Sequence, residues 1–215
     1  MIGVPMGFVG GTALLLGVVA ATLIGLEPGL GQPVPPSPPS TAELRPVSAF
    51  AAISDARARA VALFREAGKV FQHPRCVNCH VDGDHPLQTD HMQPHQPPVV
   101  RGTEGHGVPG LRCSACHGAA NFDPARSPGT THWLLAPTSM ALEARSLGQI
   151  CEQIKDPARN GNRTINAVLD HAISDSLIIW AWSPGLGRTP PPGTHAAFVA
   201  LMQAWVDAGA YCPPP

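Results

Sequence analysis

Four of the six cysteines form two pairs of identical spacing, and a histidine follows each pair directly. The first pair lies in CVNCH, residues 76–80, and the second in CSACH, residues 113–117. The pattern C-x-x-C-H is typical of covalent haem attachment. Two thiols one helical turn apart can each bond to a vinyl group of the porphyrin, and the following histidine then lies beneath the iron. The sequence therefore predicts two covalently bound haem c groups. Their tethers are Cys76, Cys79, Cys113 and Cys116, and their proximal ligands are His80 and His117.

A structural zinc site is the main alternative for four cysteines in two C-x-x-C pairs. The pairs are separated by the 33 residues from 80 to 112, more than the roughly 15–20 residues usual in such zinc sites. A site of four cysteines also gives no reason for a histidine after each pair. A thioredoxin-like dithiol is disfavoured because the chain has no βαβ pattern.

Each iron also needs a second axial ligand or keeps an open position. For the haem at His80 we favour His95, because it heads the extended stretch HQPPVVRGTEGHG, which could cross a haem face. His106 is the closest alternative, followed by His91 and Met92. The i, i+4 spacing of His91 and His95 would suit a metal pair on a helix, but the neighbouring prolines disfavour a helix there.

For the haem at His117 we favour Met140, which lies 23 residues further along the chain and just past a proline. This position is similar to that of the sixth ligand in monohaem cytochromes c, a methionine delivered from beyond a proline-containing loop. His132 is the alternative ligand, and the ordinary role of such a methionine is to fill a core. His171 and His195, in or beside C-terminal helices, are interpreted as structural.

Two arginines, Arg101 and Arg112, precede the second cysteine pair closely. A guanidinium group binds carboxylates in a bidentate geometry, so haem propionates are plausible partners, with a solvated surface arginine as the alternative. Trp180 and Trp182 are interpreted as core residues in preference to electron relays.

The composition is rich in proline (25) and glycine (22) and only 5% aromatic. Such a chain forms little regular structure and has few large side chains for a core. Two haems would supply the missing apolar bulk, with the loops of residues 70–138 wrapped around them. The net charge of −1 gives no indication of a nucleic-acid partner.

The remaining two cysteines, Cys151 and Cys212, are predicted to form a disulfide bond. It would close a loop of about sixty residues, for which the chain-entropy estimate is about 4 kcal/mol. A disulfide implies an oxidising compartment.

Residues 2–26 carry no charged side chain and are long enough for a helix across a bilayer. Because a basic n-region is missing, we predict an uncleaved transmembrane anchor over residues 1–26, with a cleaved signal peptide as the alternative. Residues 27–41 are a Pro-rich linker, typical of extended polyproline conformation. The rest of the chain, 42–215, is predicted to form the dihaem cytochrome c domain.

Helices are predicted at both ends of that domain. Residues 54–68 are expected to form one, with Ser54 as N-cap and Gly68 as its end. Thr138 is expected to cap a helix over residues 140–155.

Two further apolar faces have helical spacing. Their members are Ile165, Val168, Leu169 and Ala172 in one segment, and Phe198, Leu201, Met202 and Trp205 in the other. Thr194 is the expected N-cap of the second. Since no segment shows sustained strand alternation, the predicted class is all-α, a loop-rich head around two haems with one N-terminal transmembrane helix.

The stretches RGTEGHGVPGLRCSACHGAANFD, HWLLAPTSM and SLGQICEQIKDPARNG resemble a group of bacterial dihaem cytochromes c. Some members of this group are associated with isoquinoline 1-oxidoreductase-type molybdenum hydroxylases. The likeness covers about residues 70–212. Exported cytochromes c of Gram-negative bacteria mature in the periplasm, so the resemblance implies a periplasmic haem domain on a single-pass anchor in the inner membrane.

We therefore expect an electron-transfer protein and not an enzyme. It would relay electrons between a dehydrogenase or redox complex and the respiratory chain, with a redox protein as donor and another as acceptor. The alternative is a haem-containing docking subunit of a larger membrane complex. A dihaem peroxidase is disfavoured, because it needs a five-coordinate iron with acid/base groups beside it and because such peroxidases are considerably larger.

Overall fold

The computed structural model of the protein describes residues 1–3 and 43–215. Nearly all of the predicted membrane anchor and the whole of the Pro-rich linker lie in residues 4–42, outside the described residues. Within the described ranges, no helix is both long enough and apolar enough to cross a membrane.

Residues 43–215 contain six α-helices, most of them in the second half of the chain. They are α1 (Ala56–Phe71), α2 (Pro74–Val77), α3 (Leu147–Lys155), α4 (Ile165–Ser174), α5 (Ser176–Trp180) and α6 (His195–Asp207). Short 3-10 turns lie between several of them.

Helix α1 begins and ends later than its sequence predicts. Asp55 and not Ser54 is the N-cap, and its carboxylate accepts a hydrogen bond from the amide of Ala58 at 2.7 Å. Gly68 lies inside the helix instead of ending it. A side chain at this position would meet Leu147, whose Cδ2 lies 2.5 Å from where a Cβ would stand. The glycine is therefore a packing residue that lets α3 approach α1.

The helix expected over residues 140–155 is shorter than predicted. A 3-10 turn occupies Thr138–Met140, and α3 starts only after Ser146, which forms a capping box with Gln149. The residues between them are a loop, because the amides of Leu142 and Glu143 bond to the carbonyl of His80 instead of continuing a helix.

The two remaining helix predictions are confirmed. Thr164 caps α4 and Thr194 caps α6, each through its side-chain oxygen. The four apolar residues predicted on one face of α6 are all buried. They are Phe198, Leu201, Met202 and Trp205. The α6 face packs on α1, where the rings of Trp205 and Phe64 are 4.9 Å apart.

In the described part of the chain, three small antiparallel sheets lie where only loops were expected. Strand β1 (Leu87–Gln88) pairs with β2 (Gln93–Pro94), β3 (Gly107–Val108) with β4 (Leu111–Arg112), and β5 (Ala120–Phe122) with β6 (Ser127–Thr130). The predicted all-α class is therefore wrong, and the fold is mixed α/β. Strands of two to four residues are too short to show the alternation by which a strand is recognised.

The predicted disulfide bond is confirmed. It joins Cys151 of α3 to Cys212, which follows α6, across 61 positions of sequence. Cys151 is fully buried within the main apolar core, which α1, α3, α4 and α6 share. The bond therefore ties the end of the chain to the centre of the helical core.

Candidate functional site

The first C-x-x-C-H segment lies on and just after α2. His73 caps this helix, since its Nδ1 accepts a hydrogen bond from the amide of Arg75. The amide of His80 still bonds to the carbonyl of Cys76 at 3.1 Å. One helical turn thus carries Cys76, Cys79 and His80, the arrangement that covalent haem attachment needs. Both cysteines are free thiols.

The ring of His80 is fixed through one nitrogen. Its Nδ1 lies 2.7 Å from the carbonyl oxygen of Met140. Because a carbonyl can only accept, the hydrogen-bond network assigns the proton to Nδ1 and leaves the lone pair on Nε2. Metal-ligating histidines almost always donate their second nitrogen in this way to a carbonyl or carboxylate. His80 is therefore prepared as a ligand through Nε2.

A cavity of about 340 Å³ lies beside His80, within the range of about 300–1,000 Å³ found for ligand and cofactor pockets. Cys76 and Cys79 form part of its wall. Most of the remaining lining is apolar and comes from five helices and from residues 134–142. It includes Val70, Phe71, Leu134, Met140, Leu142, Ile154, Val168, Ile178, Phe198 and Met202. Such a wall suits a large apolar disc.

The two thiols in this wall are neutral. Burial raises the pKa of the Cys76 thiol to about 12 and that of Cys79 to about 11. Reactive redox cysteines have a lowered pKa. The surroundings therefore do not favour a redox dithiol, whereas a thioether bond leaves the sulfur uncharged and suits an apolar wall.

The second C-x-x-C-H segment begins in the 3-10 turn Cys113–Ala115, directly after β4. The amide of His117 bonds to the carbonyl of Cys113 at 2.9 Å. The Nδ1 of His117 lies 2.7 Å from the carbonyl oxygen of Pro128 in β6. The ring therefore has the same arrangement as that of His80, with Nδ1 donating to the backbone and Nε2 available to a metal.

Aromatic rings connect the two segments. Trp133 stacks on His117, with ring centres 4.4 Å apart and an angle of 9° between the planes. The rings of Trp133 and Trp180 meet edge to face with their centres 4.8 Å apart, and Trp180 lines the cavity beside His80. Cys116 is exposed, so the second segment lies closer to solvent than the first.

The positions of the two favoured distal ligands are exchanged. Met140 lies beside the first cysteine pair and His95 beside the second. Met140 was expected near His117, but its carbonyl is bound by His80 and its side chain lines the cavity there. His95 was expected near His80, but its ring centre lies 5.9 Å from that of His117.

The alternative ligands lie at more peripheral positions. His106 is near the second segment, where its carbonyl accepts a hydrogen bond from the amide of Cys113. His132 is exposed and has a positive φ of 60°. His91 and Met92 are exposed and line a separate surface depression.

The predicted propionate-binding arginines have different surroundings. Arg101 is buried and donates to the backbone carbonyls of Val81, Gly83 and Ala136, so it ties together loops around the first segment. Arg112 is exposed. Neither arginine lines the cavity beside the first cysteine pair.

Sequence reasoning missed a better-placed arginine, Arg75, directly before the first cysteine. Its guanidinium is buried, lines the cavity and pairs with Asp90. Among the described residues, its Nε has no hydrogen-bond partner. A buried donor of this kind at the cavity wall can bind an anionic group such as a propionate. Its position next to C-x-x-C-H was the available signal.

His171 of α4, interpreted as structural from the sequence, also lies at this site. It lines the same cavity as His80, and its Nδ1 lies 3.4 Å from Oδ2 of Asp175. Burial lowers its pKa, which favours the neutral ring that binds metals. A histidine within an amphipathic helix gives no sequence signal of this role.

In residues 1–3 and 43–215, no group of three or more His, Cys, Asp or Glu side chains is arranged to hold a metal ion. A haem iron takes only its axial ligands from the protein. The paired thiols could each bond to a porphyrin vinyl group, and each of the two histidines has an Nε2 available to an iron.

Comparison of the chain with protein-family models, with curated proteins and with solved structures finds no match in any of the three.

Proposed function

We propose that the chain is a dihaem c-type cytochrome that carries electrons and is not an enzyme. The proposal agrees with its resemblance to bacterial dihaem cytochromes c. Cys76 and Cys79 would tether one haem and Cys113 and Cys116 the other. A bound haem supplies an iron that accepts and releases one electron.

One observation carries this proposal. The histidine of each C-x-x-C-H segment donates a hydrogen bond from Nδ1 to a backbone carbonyl, at 2.7 Å in both cases. Its Nε2 stays available to a metal. The two acceptors lie in different elements, Pro128 in strand β6 and Met140 in the 3-10 turn Thr138–Met140. Two elements of the fold therefore bind both rings through Nδ1, as expected for metal ligands.

The chain's own residues would hold and shield the first haem. The apolar wall from α1, α4 and α6 would keep the surroundings of the haem low in polarity, and low polarity around a haem is one of the factors that set its potential. The buried guanidinium of Arg75 is available to an anionic substituent at the edge of the ring.

We infer an oxidising compartment, the bacterial periplasm, as the place of function. The disulfide between Cys151 and Cys212 supports it. Free Cys76, Cys79, Cys113 and Cys116 in the same chain then need another covalent partner, and haem attachment gives them one.

The partners would be a redox protein that donates electrons and another that accepts them. The second segment is the better candidate for exchange with such a partner, because Cys116 is exposed whereas the first segment lines an interior cavity. The aromatic contacts through Trp133 and Trp180 connect the two segments within the protein.

The test is to count covalent haems on the full chain produced in a host with c-type maturation. Haem staining on a denaturing gel and intact mass should give two haems per chain. Cys76→Ala with Cys79→Ala should remove one, and Cys113→Ala with Cys116→Ala the other.

The control is Cys151→Ala with Cys212→Ala, which removes two cysteines outside the C-x-x-C-H segments and should keep both haems. A chain that matures without covalent haem, or binds zinc in its place, would contradict the proposed function.

A further inference from the structure

The hairpin of β1 and β2 positions His95 beside the second cysteine pair. His95 follows β2 directly, and its amide bonds to the carbonyl of Pro86 at 3.1 Å. The ring centre of His95 lies 5.9 Å from that of His117, with an angle of 64° between the planes. Two distant segments thus bring two imidazoles together.

Both rings are oriented in the same way. The Nδ1 of His95 lies 2.9 Å from the carbonyl oxygen of Pro97. The Nδ1 of His117 likewise lies beside the carbonyl oxygen of Pro128. In each ring the proton is therefore on Nδ1 and the lone pair on Nε2.

The separation of the rings suits one metal between them. Two imidazoles on opposite sides of an iron, each with a nitrogen about 2 Å away as in other His–metal sites, have ring centres roughly 6 Å apart. We propose that His95 is the second axial ligand of the iron whose proximal ligand is His117. This inference rests on the proposed function and names the ligand set of its second haem.

The experiment uses the full chain with its haems and reads the spin state of the oxidised irons. His95→Gly should convert one of the two irons from low-spin to high-spin, seen by low-temperature EPR, with two covalent haems still present. Added imidazole should restore the low-spin signal, because it replaces the missing side chain. His95→Met should instead give the near-infrared band of a methionine-ligated iron and raise the potential of that haem.

His85→Gly is the matched control. His85 is an exposed histidine of the same region whose Nδ1 bonds to a carbonyl, that of Val99, at 2.9 Å. Its replacement should leave both irons low-spin. If His95→Gly keeps two low-spin irons, the assignment of His95 is overturned. Loss of covalent haem from the wild-type chain would instead overturn the proposed function, so the two failures are distinguishable.

A separate observation concerns the second axial ligand of the iron held by His80. His171 and His80 line the same cavity. The Nδ1 of His171 faces Oδ2 of Asp175, while Oδ1 of Asp175 is fixed by the amides of Leu177 and Ile178 at the start of α5. A carboxylate on the far nitrogen is a usual companion of a metal-bound histidine.

The two methionines that line this cavity, Met140 and Met202, are less suitable as the second axial ligand. The carbonyl of Met140 accepts a hydrogen bond from Nδ1 of His80, so its backbone lies at the Nδ1 edge of the ring and not at Nε2. Met202 is 2% exposed and belongs to the packed core of α6. We infer that His171 is the second axial ligand of the iron held by His80.

The same measurement tests this second assignment. His171→Gly should give one high-spin iron that imidazole returns to low-spin, and Met202→Leu should leave both irons low-spin. Asp175→Asn, which removes the carboxylate from His171, should raise the potential of that haem without changing its spin state. A high-spin iron in Met202→Leu, or two low-spin irons in His171→Gly, would overturn the assignment of His171.

Discussion

Trp133 lies flat against the ring of His117, with the two planes 9° apart and their centres separated by 4.4 Å. This contact and the bond from Nδ1 to Pro128 hold the imidazole from its face and from its edge. The orientation of Nε2 is therefore set by the fold of residues 117–133.

Replacing Trp133 by leucine should lower the free energy of unfolding by about 1 kcal/mol beyond the lost apolar area, the usual contribution of an aromatic pair. Trp133→Phe keeps a ring on His117 and is the matched control, with a smaller loss expected. Urea unfolding of both variants measures the difference. Equal losses in the leucine and phenylalanine variants would show that stacking contributes nothing at this position.

The local parts of the site could be predicted from the sequence because they depend on spacing alone. The C-x-x-C-H segments place two thiols and a histidine within one turn wherever the chain goes next. The helix cap Thr194 is equally local, because its side chain bonds to an amide of its own first turn. The pairing of Cys151 with Cys212 followed from the absence of another partner.

The distal residues could not be predicted, because their positions depend on tertiary structure. The three short hairpins of residues 87–130 decide where His95 lies, and their strands are too short to be recognised in the sequence. Met140 lies beside His80 because the loop that follows it bonds to the backbone carbonyl of His80. His171 depends on how α4 packs, which its own amphipathic pattern does not specify.

The close approach of the chain's last residues to α3 gives another prediction. A Cβ at Gly148 would stand 2.3 Å from the carbonyl oxygen of Pro214. Gly148→Ala should therefore destabilise the protein by about 1–3 kcal/mol, as overpacking usually does, despite the better helix propensity of alanine.

Removing residues 213–215 is the control for this clash. In the shortened chain the same substitution should stabilise α3 by up to about 1 kcal/mol, the propensity difference between glycine and alanine. Thermal and urea unfolding of the four chains give the coupling between the two changes. A loss of the same size in both backgrounds would rule out Pro214 as the cause.

The disulfide bond should make a large contribution to stability. Cys151→Ala with Cys212→Ala removes a cross-link over 61 positions, for which the chain-entropy estimate is about 4 kcal/mol. Urea unfolding should show this loss in the double variant. Wild-type protein treated with a reductant is the comparison, and it should approach the double variant. An unchanged midpoint after reduction would contradict the prediction.

The ion pair between Arg75 and Asp90 gives a prediction for pH. Burial by itself raises the pKa of Asp90, but the hydrogen bonds from Thr189 and the charge of Arg75 outweigh it and hold the pKa below its usual range. A carboxyl group with a lowered pKa stabilises the fold fully above its unfolded pKa of about 3.9. That contribution is lost as the pH falls through the lower folded value.

Asp90→Asn should therefore cost about 3 kcal/mol at neutral pH, near the lower limit for removing one partner of a buried pair, because Asp90 is partly in water. As the pH falls below about 4, the gap between the variant and the wild type should begin to narrow. Urea unfolding from pH 7 to about pH 3 measures it. Thr189→Val, which removes one of the hydrogen bonds to Asp90 and keeps Arg75 paired, should give a smaller loss with the same direction. A gap between Asp90→Asn and wild type that stays constant down to pH 3 would mean that the charge of Asp90 is not what stabilises this contact.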